Sequence, residues 1–352
     1  MSLTISKKIK YLYWFFTICI VLFHSYRPTE FDLVTTSRLD SFIAEIFPFL
    51  AERLGYISLT FFFFMSGFWL YYNVRTNADI VTKIRKRVRS PLLPYLLWTT
   101  IFLVPRLLMR EFTIIELLKN LHNHFIFTPV IGAAWYILSL LLLLLIFPPL
   151  AVTRKNKIAS AVVFSVMIVY YMVIKYSKSS YLIQMPINCW WYGNVQFYMP
   201  VYLFGSFIGL NYPHIVTEKE YNSKIYLIAG IILMLLSCIL FYLVRLGRFY
   251  VLFSAIFVIG LWFVIRNNLF DKDVPKIFDA EFFVFILHQP LILPIMTFLF
   301  RRILPISNMN SIEMLVIKAV NIISVIIVSY VIRLILEKTL PRKIFNLFSG
   351  GR

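Results

Sequence analysis

This sequence is poor in charge. Asp, Glu, Lys and Arg make up 14% of its 352 residues, where a soluble domain of that size carries roughly a quarter. No polar block is long enough to build a separate soluble domain. Cysteine is nearly missing too. Cys19, Cys189 and Cys238 are scattered and lie mostly in apolar sequence, which excludes a disulfide framework and offers no metal-ligand spacing. No repeat of fixed period is visible, and the early apolar runs do not resemble the later ones closely enough for an inverted-repeat transporter. Acidic residues number 16 against 35 Lys and Arg, a net charge of +19. A nucleic-acid partner is excluded all the same, because an excess of Lys and Arg beside apolar runs is the positive-inside pattern of membrane proteins. No small-residue cleavage site follows "FHSYRP", so the basic start and the apolar run after it are expected to form an uncleaved first span.

What remains is hydrophobic: 60% of the chain, with a mean hydropathy of +0.80. A hydrocarbon core of ~30 Å takes about 20 helical residues to cross. Continuous apolar runs favour helices over the alternating strands of a barrel. The fold class expected is an all-α polytopic membrane protein, a single domain over 1–352 built as a bundle of about ten transmembrane helices. The spans fall near 9–27, 54–73, 91–109, 134–152, 158–176, 195–212, 225–244, 249–266, 278–300 and 315–335. The 74–90 loop holds Arg75, Lys83, Arg85, Lys86, Arg87 and Arg89 against Asp79 alone, while 26–53 holds Glu30, Asp32, Asp40, Glu45 and Glu52 against Arg27, Arg38 and Arg53. "RKNK" at 154–157 and the tail's Lys338, Arg342 and Lys343 fall on the same side as 74–90. That places both termini and the basic loops in the cytoplasm. Arg106, Arg110, Arg245, Arg248, Arg301 and Arg302 on the outer side make the bias less than extreme.

Within "YLYWFFTICIVLFHSYRP", residues 11–28, a single imidazole interrupts the apolar run at His24. It lies fourteen residues beyond Lys10, or ~21 Å along a helix, on the outer side of the span. An ionisable side chain inside a span is a functional candidate by default; the bland alternative is a polar anchor at the interface. At ~100° per residue, Lys10, Tyr13, Thr17 and His24 share one helix face, and Cys19 points away from it, against a Cys–His pair. A neutral imidazole on such a stripe suits general-base work. His288, in "FFVFILHQPLI" (282–292), lies ~15 Å into its own span, close enough in depth to line the same cavity as His24. Ser66-Gly67 in "FFFFMSGF" lets a helix or a ligand approach the backbone. In "KIRKRVRSPLLPYLLW" (83–98), Arg85, Arg87 and Arg89 are either a topology signal touching anionic lipid headgroups or forks for phosphate oxygens. His122 and His124 in "LHNHF" are too weak a pair for a metal site, and none is expected.

Taken in order, these segments resemble the acyltransferase-3 family of integral membrane acyltransferases. "CIVLFHSY" is similar to the end of that family's first span, "FFFFMSGF" to its second, and "LLPYLLW" to the segment after its basic loop. "AAWYILSLLLLLLIFPPL", "FYMPVYLFGSFIGL" with Gly205 and Gly209, and "FFVFILHQPLI" follow in the family's order, so the likeness covers most of the chain. The resemblance implies a ten-span bacterial inner-membrane enzyme that transfers acyl groups, usually acetyl, from acyl-CoA to hydroxyls of surface polysaccharides, lipid-linked glycans or other exported acceptors. It implies no permanently bound cofactor. It makes His24 the catalytic residue and puts the donor's phosphates on Arg87, with Arg85 and Arg89 beside it. The sequence departs from the family at four places: Tyr13 where many members keep an Arg, Thr60 for an Asp, Leu138-Ser139 for Arg-Asp, and Ala133-Ala134 before Trp135 where a His is usual. Lys10, on the stripe of His24, is the candidate to replace the Arg's charge. Two other readings stay open on the residues alone: a transporter or flippase of a glycan or lipid-linked intermediate, and a membrane sensor or scaffold derived from such an enzyme.

Overall fold

The computed structural model describes residues 3–25, 37–109, 113–127, 129–146, 153–176, 190–217, 224–243, 250–266, 273–304 and 309–351. Cys189, the 26–36 stretch with Arg27, Glu30 and Asp32, and Arg110, Arg245 and Arg248 lie outside the described residues. Among the described residues there is no strand. The helices in chain order are α1 (Leu3–Ser25), α2 (Arg38–Tyr71), α3 (Asn77–Leu108), α4 (Ile114–Lys119), α5 (Trp135–Ile146), α6 (Lys157–Tyr176), α7 (Trp190–Asn211), α8 (His214–Thr217), α9 (Lys224–Leu243), α10 (Tyr250–Ile265), α11 (Glu281–Leu287), α12 (Leu293–Ile303), α13 (Ser311–Thr339) and α14 (Arg342–Ser349). Each of the ten predicted spans overlaps one of them. Among the described residues, five helical stretches are long and apolar enough to cross a membrane: α2, α3, α9, the composite 276–303 and α13.

The helix ends differ from the sequence reading. The 83–89 run, expected in a loop, is helical, because Thr76 and Asp79 form a reciprocal capping box that starts α3 at Asn77. Likewise α2 begins at Arg38, sixteen residues before the predicted span. Its 34 residues make it ~50 Å long, more than the hydrocarbon thickness. The predicted 278–300 span is not one uniform helix. A 3-10 turn (Lys276–Ala280) leads into α11, and a π-helical turn (His288–Ile292) joins α11 to α12. Pro290 sits inside that turn and has no N–H for the α-helical ladder, which opens locally.

The chain divides into two compact units. The first takes Met1–Ile5, Leu59–Asn222 and Gly351; the second takes Ser6–Ser58, Ser223–Gly350 and Arg352. In the first unit the C-terminal half of α2 packs on α7 at backbone distance. A Cβ added at Gly67, Gly205 or Gly209 would run into the carbonyl oxygens of Tyr202, Phe64 and Phe68 respectively. Around this seam Phe63 stacks on Tyr198 with ring centroids 4.9 Å apart, and Phe61, Phe68, Tyr71 and Tyr202 are buried. In the second unit α9 and α10 meet at Gly230 and Gly260, and Ser237 donates to the Phe253 carbonyl at 2.7 Å. There α13 packs against α11 and the π turn, and α14 turns Phe345 onto Phe283.

Candidate functional site

The second unit fixes α1 at both ends. At its start, the Lys7 ammonium donates to Asp273 Oδ1 at 2.6 Å and Lys10 pairs with Asp279. Lys8, fully buried, donates to the Arg266 carbonyl at 3.0 Å, and the Tyr11 hydroxyl donates to the Asp273 carbonyl at 2.7 Å. Trp14 stacks on Phe278 at 4.7 Å. The bond from Lys7 holds the Asp273 carboxyl below the usual carboxylate range. At the other end, the buried Lys318 of α13 donates to the Ser25 carbonyl, satisfying an acceptor that the end of α1 leaves open. Two residues back, Phe23 packs against Gly55 of α2 so closely that a Cβ there would lie 2.8 Å from its ring.

Held in this way, α1 presents His24 to the π turn. The imidazoles of His24 and His288 lie 5.1 Å apart between ring centroids, tilted by 44°. His288 is fully buried. Its Nδ1 lies 2.7 Å from the Phe285 carbonyl and 3.1 Å from that of Val284. Carbonyl oxygens only accept, so Nδ1 carries the proton and Nε2 is the nitrogen with the free lone pair. His24 is half-buried, and it stands in the last turn of its helix. A pair of imidazoles, one with its tautomer fixed by backbone, can take up and pass on a proton from a hydroxyl within hydrogen-bond reach of a ring nitrogen.

The rest of the predicted stripe is divided. Thr17 is buried and Tyr13 half-buried. Lys10 is committed to Asp279, fourteen residues from His24 along the helix, and the wholly buried cation of this helix is Lys8. Ser66, Arg85, Arg87 and Arg89 belong to the first unit. Ser66 Oγ and Tyr136 Oη lie 2.9 Å apart, and Tyr136 donates to the Phe62 carbonyl at 3.1 Å. Arg85 and Arg89 are exposed on α3 and Arg87 is half-buried. Among the described residues none of the three is in an ion pair with a carboxylate. Arg154 Nε, from the "RKNK" stretch, donates to the Arg75 carbonyl at 2.9 Å and its guanidinium also reaches Asn77 Oδ1, tying a second basic segment to the start of α3. Among the described residues no three His, Cys, Asp or Glu side chains group as for a metal ion.

Lys318 and Asn321 were missed by the sequence reading. Both are buried in α13, within the predicted span 315–335. An ionisable or amide side chain inside an apolar helix is the signal that would have singled them out. A family model described as an acyltransferase domain matches residues 7–334. Neither the curated proteins nor the solved structures contain a match.

Proposed function

The chain belongs to the acyltransferase-3 family and is a membrane acyltransferase; from that premise we propose that it transfers an acyl group, acetyl first among candidates, from acyl-CoA to a hydroxyl of a surface polysaccharide, lipid-linked glycan or similar exported acceptor. The observation that carries the reading is the imidazole pair, His24 and His288, with ring centroids 5.1 Å apart. His24 takes the proton of the acceptor hydroxyl as its oxygen attacks the thioester carbonyl. The new C–O bond forms, the C–S bond breaks, and the proton returns to the CoA sulfur. A transient acyl group on His24 is the covalent version of the same exchange. His288 orients the acceptor hydroxyl or relays the proton through Nε2.

Arg85, Arg87 and Arg89 hold the donor's phosphates from the cytoplasmic side, since guanidinium forks match phosphate oxygens bidentately. The setting is a bacterial inner membrane with both termini in the cytoplasm, and the acceptor arrives from the outer side or the outer leaflet, nearer His24. Mass spectrometry of surface glycans tests this. O-acyl groups present with the gene should vanish without it and return with the wild-type gene but not with His24→Ala. Full restoration by His24→Ala contradicts the mechanism.

A further inference from the structure

Among the buried hydrogen-bond acceptors of the second unit that have no donor among the described residues are His288 Nε2, Gln289 Oε1 and Asn321 Oδ1. Buried polar atoms are nearly always paired, and at membrane depth there is little water to supply the missing partner. His288 is 0% exposed and Asn321 2%. Asn321 lies on the buried stripe of α13 with Met314, Lys318 and Val325, and α13 packs against α11 and the π turn that carries His288 and Gln289. The ammonium of Lys318, one helical turn from Asn321, meets the carbonyl of Ser25, the neighbour of His24. Asn321 thus shares its stripe with the residue that closes the last turn of α1, the turn in which the ring of His24 meets that of His288.

All three atoms are of one kind. At His288 Nε2 a thioester carbonyl or a phosphate oxygen, which only accepts, cannot serve, whereas an O–H group donates there and, as both donor and acceptor, also matches the two amides. We propose that Asn321, with His288 and Gln289, is the binding subsite for the acyl acceptor, and that the acceptor presents several hydroxyls there, as a sugar or another polyol does. The proposal rests on the reading of His24 as the base of acyl transfer. Asn321 selects which hydroxyl is turned towards that base and does not itself take part in the chemistry.

The test uses the full chain in lipid nanodiscs, with methyl α-glucoside and methyl α-mannoside as probes and tetrahydropyran, the ring without hydroxyls, as control. Binding is read by saturation-transfer NMR and stability by thermal unfolding. The wild type should bind a glycoside and not tetrahydropyran. Asn321→Leu should weaken glycoside binding about tenfold or more. It should also melt at the same or a higher temperature, since it removes an uncompensated buried acceptor. Asn321→Ala should repeat the loss of binding without added bulk. The proposal is overturned if both variants bind as the wild type does, if Asn321→Ala and Asn321→Leu both melt lower and so mark a structural role, or if the wild type binds neither glycoside. His24→Ala separates the two readings: it should keep glycoside binding while losing transfer. If it keeps both, acyl transfer through His24 is wrong and the polyol subsite stands.

Discussion

The seam between α2 and α7 in the first unit and the anchoring of α1 in the second rest on different physics. In residues 59–222 the seam between α2 and α7 is steric: Gly67, Gly205 and Gly209 let carbonyls approach where any side chain would collide, and aromatic rings fill the flanks. In the unit made of 6–58 and 223–350, α1 is held by polar bonds at both ends, and Lys8, Arg266, His288, Lys318 and Asn321 are buried in it. Buried polar groups in a membrane are costly and persist where they are used. The comparison teaches that the two packings differ in cost: buried polar groups hold α1 within the second unit, whereas close steric packing holds α2 on α7 within the first.

The comparison can be broken most severely at the steric seam. Gly205→Val should cost more than ~3 kcal/mol, the upper end for overpacking, because backbone must move. The measurement is yield and thermal unfolding in detergent; a variant with wild-type stability would mean the seam is loose. Next comes Lys318→Met, which removes a charged donor from the Ser25 carbonyl. The loss expected is ~1.5–3 kcal/mol in unfolding, with Lys318→Arg recovering part of it. Arg87→Glu should leave stability alone and raise the KM for acetyl-CoA about tenfold, the effect of ~1.4 kcal/mol in binding; an unchanged KM would leave the basic run as a topology signal. Smallest is the rim of the second unit. Asp279→Asn breaks a half-exposed pair with Lys10 and should cost about 0.2–1 kcal/mol. Asp273, held below the usual carboxylate range by Lys7, adds stability that is complete above that range and is lost as pH falls through its lowered value. The thermal unfolding difference between wild type and Asp273→Asn should therefore shrink on acidification.

Much of the fold was legible because crossing a membrane demands long apolar runs, and each predicted run overlaps helix, the 278–300 run overlapping both α11 and α12. The ends were less so. The run 83–89 reads as a charged loop unless the Thr76–Asp79 capping box is noticed, and 38–53 is too polar to count as span although it is helical. His24 and His288 stood out as lone imidazoles in apolar sequence, yet their meeting depends on a π turn around Pro290 that no periodicity shows. Lys10 could not be assigned from the helix wheel, since its partner Asp279 lies 269 positions away. Lys318 escaped because a Lys near the start of a span normally snorkels to the interface. Asn321 escaped because a charge count does not register an amide.

The central claim is that His24 is the base for transfer from acyl-CoA. It is tested most directly in membrane vesicles given radiolabelled acetyl-CoA, by following label into the glycan fraction for the wild type and for His24→Ala at equal protein. The account predicts label in the wild type and a drop of about a hundredfold or more in the variant, the range for loss of a general base. Equal labelling in both would contradict it.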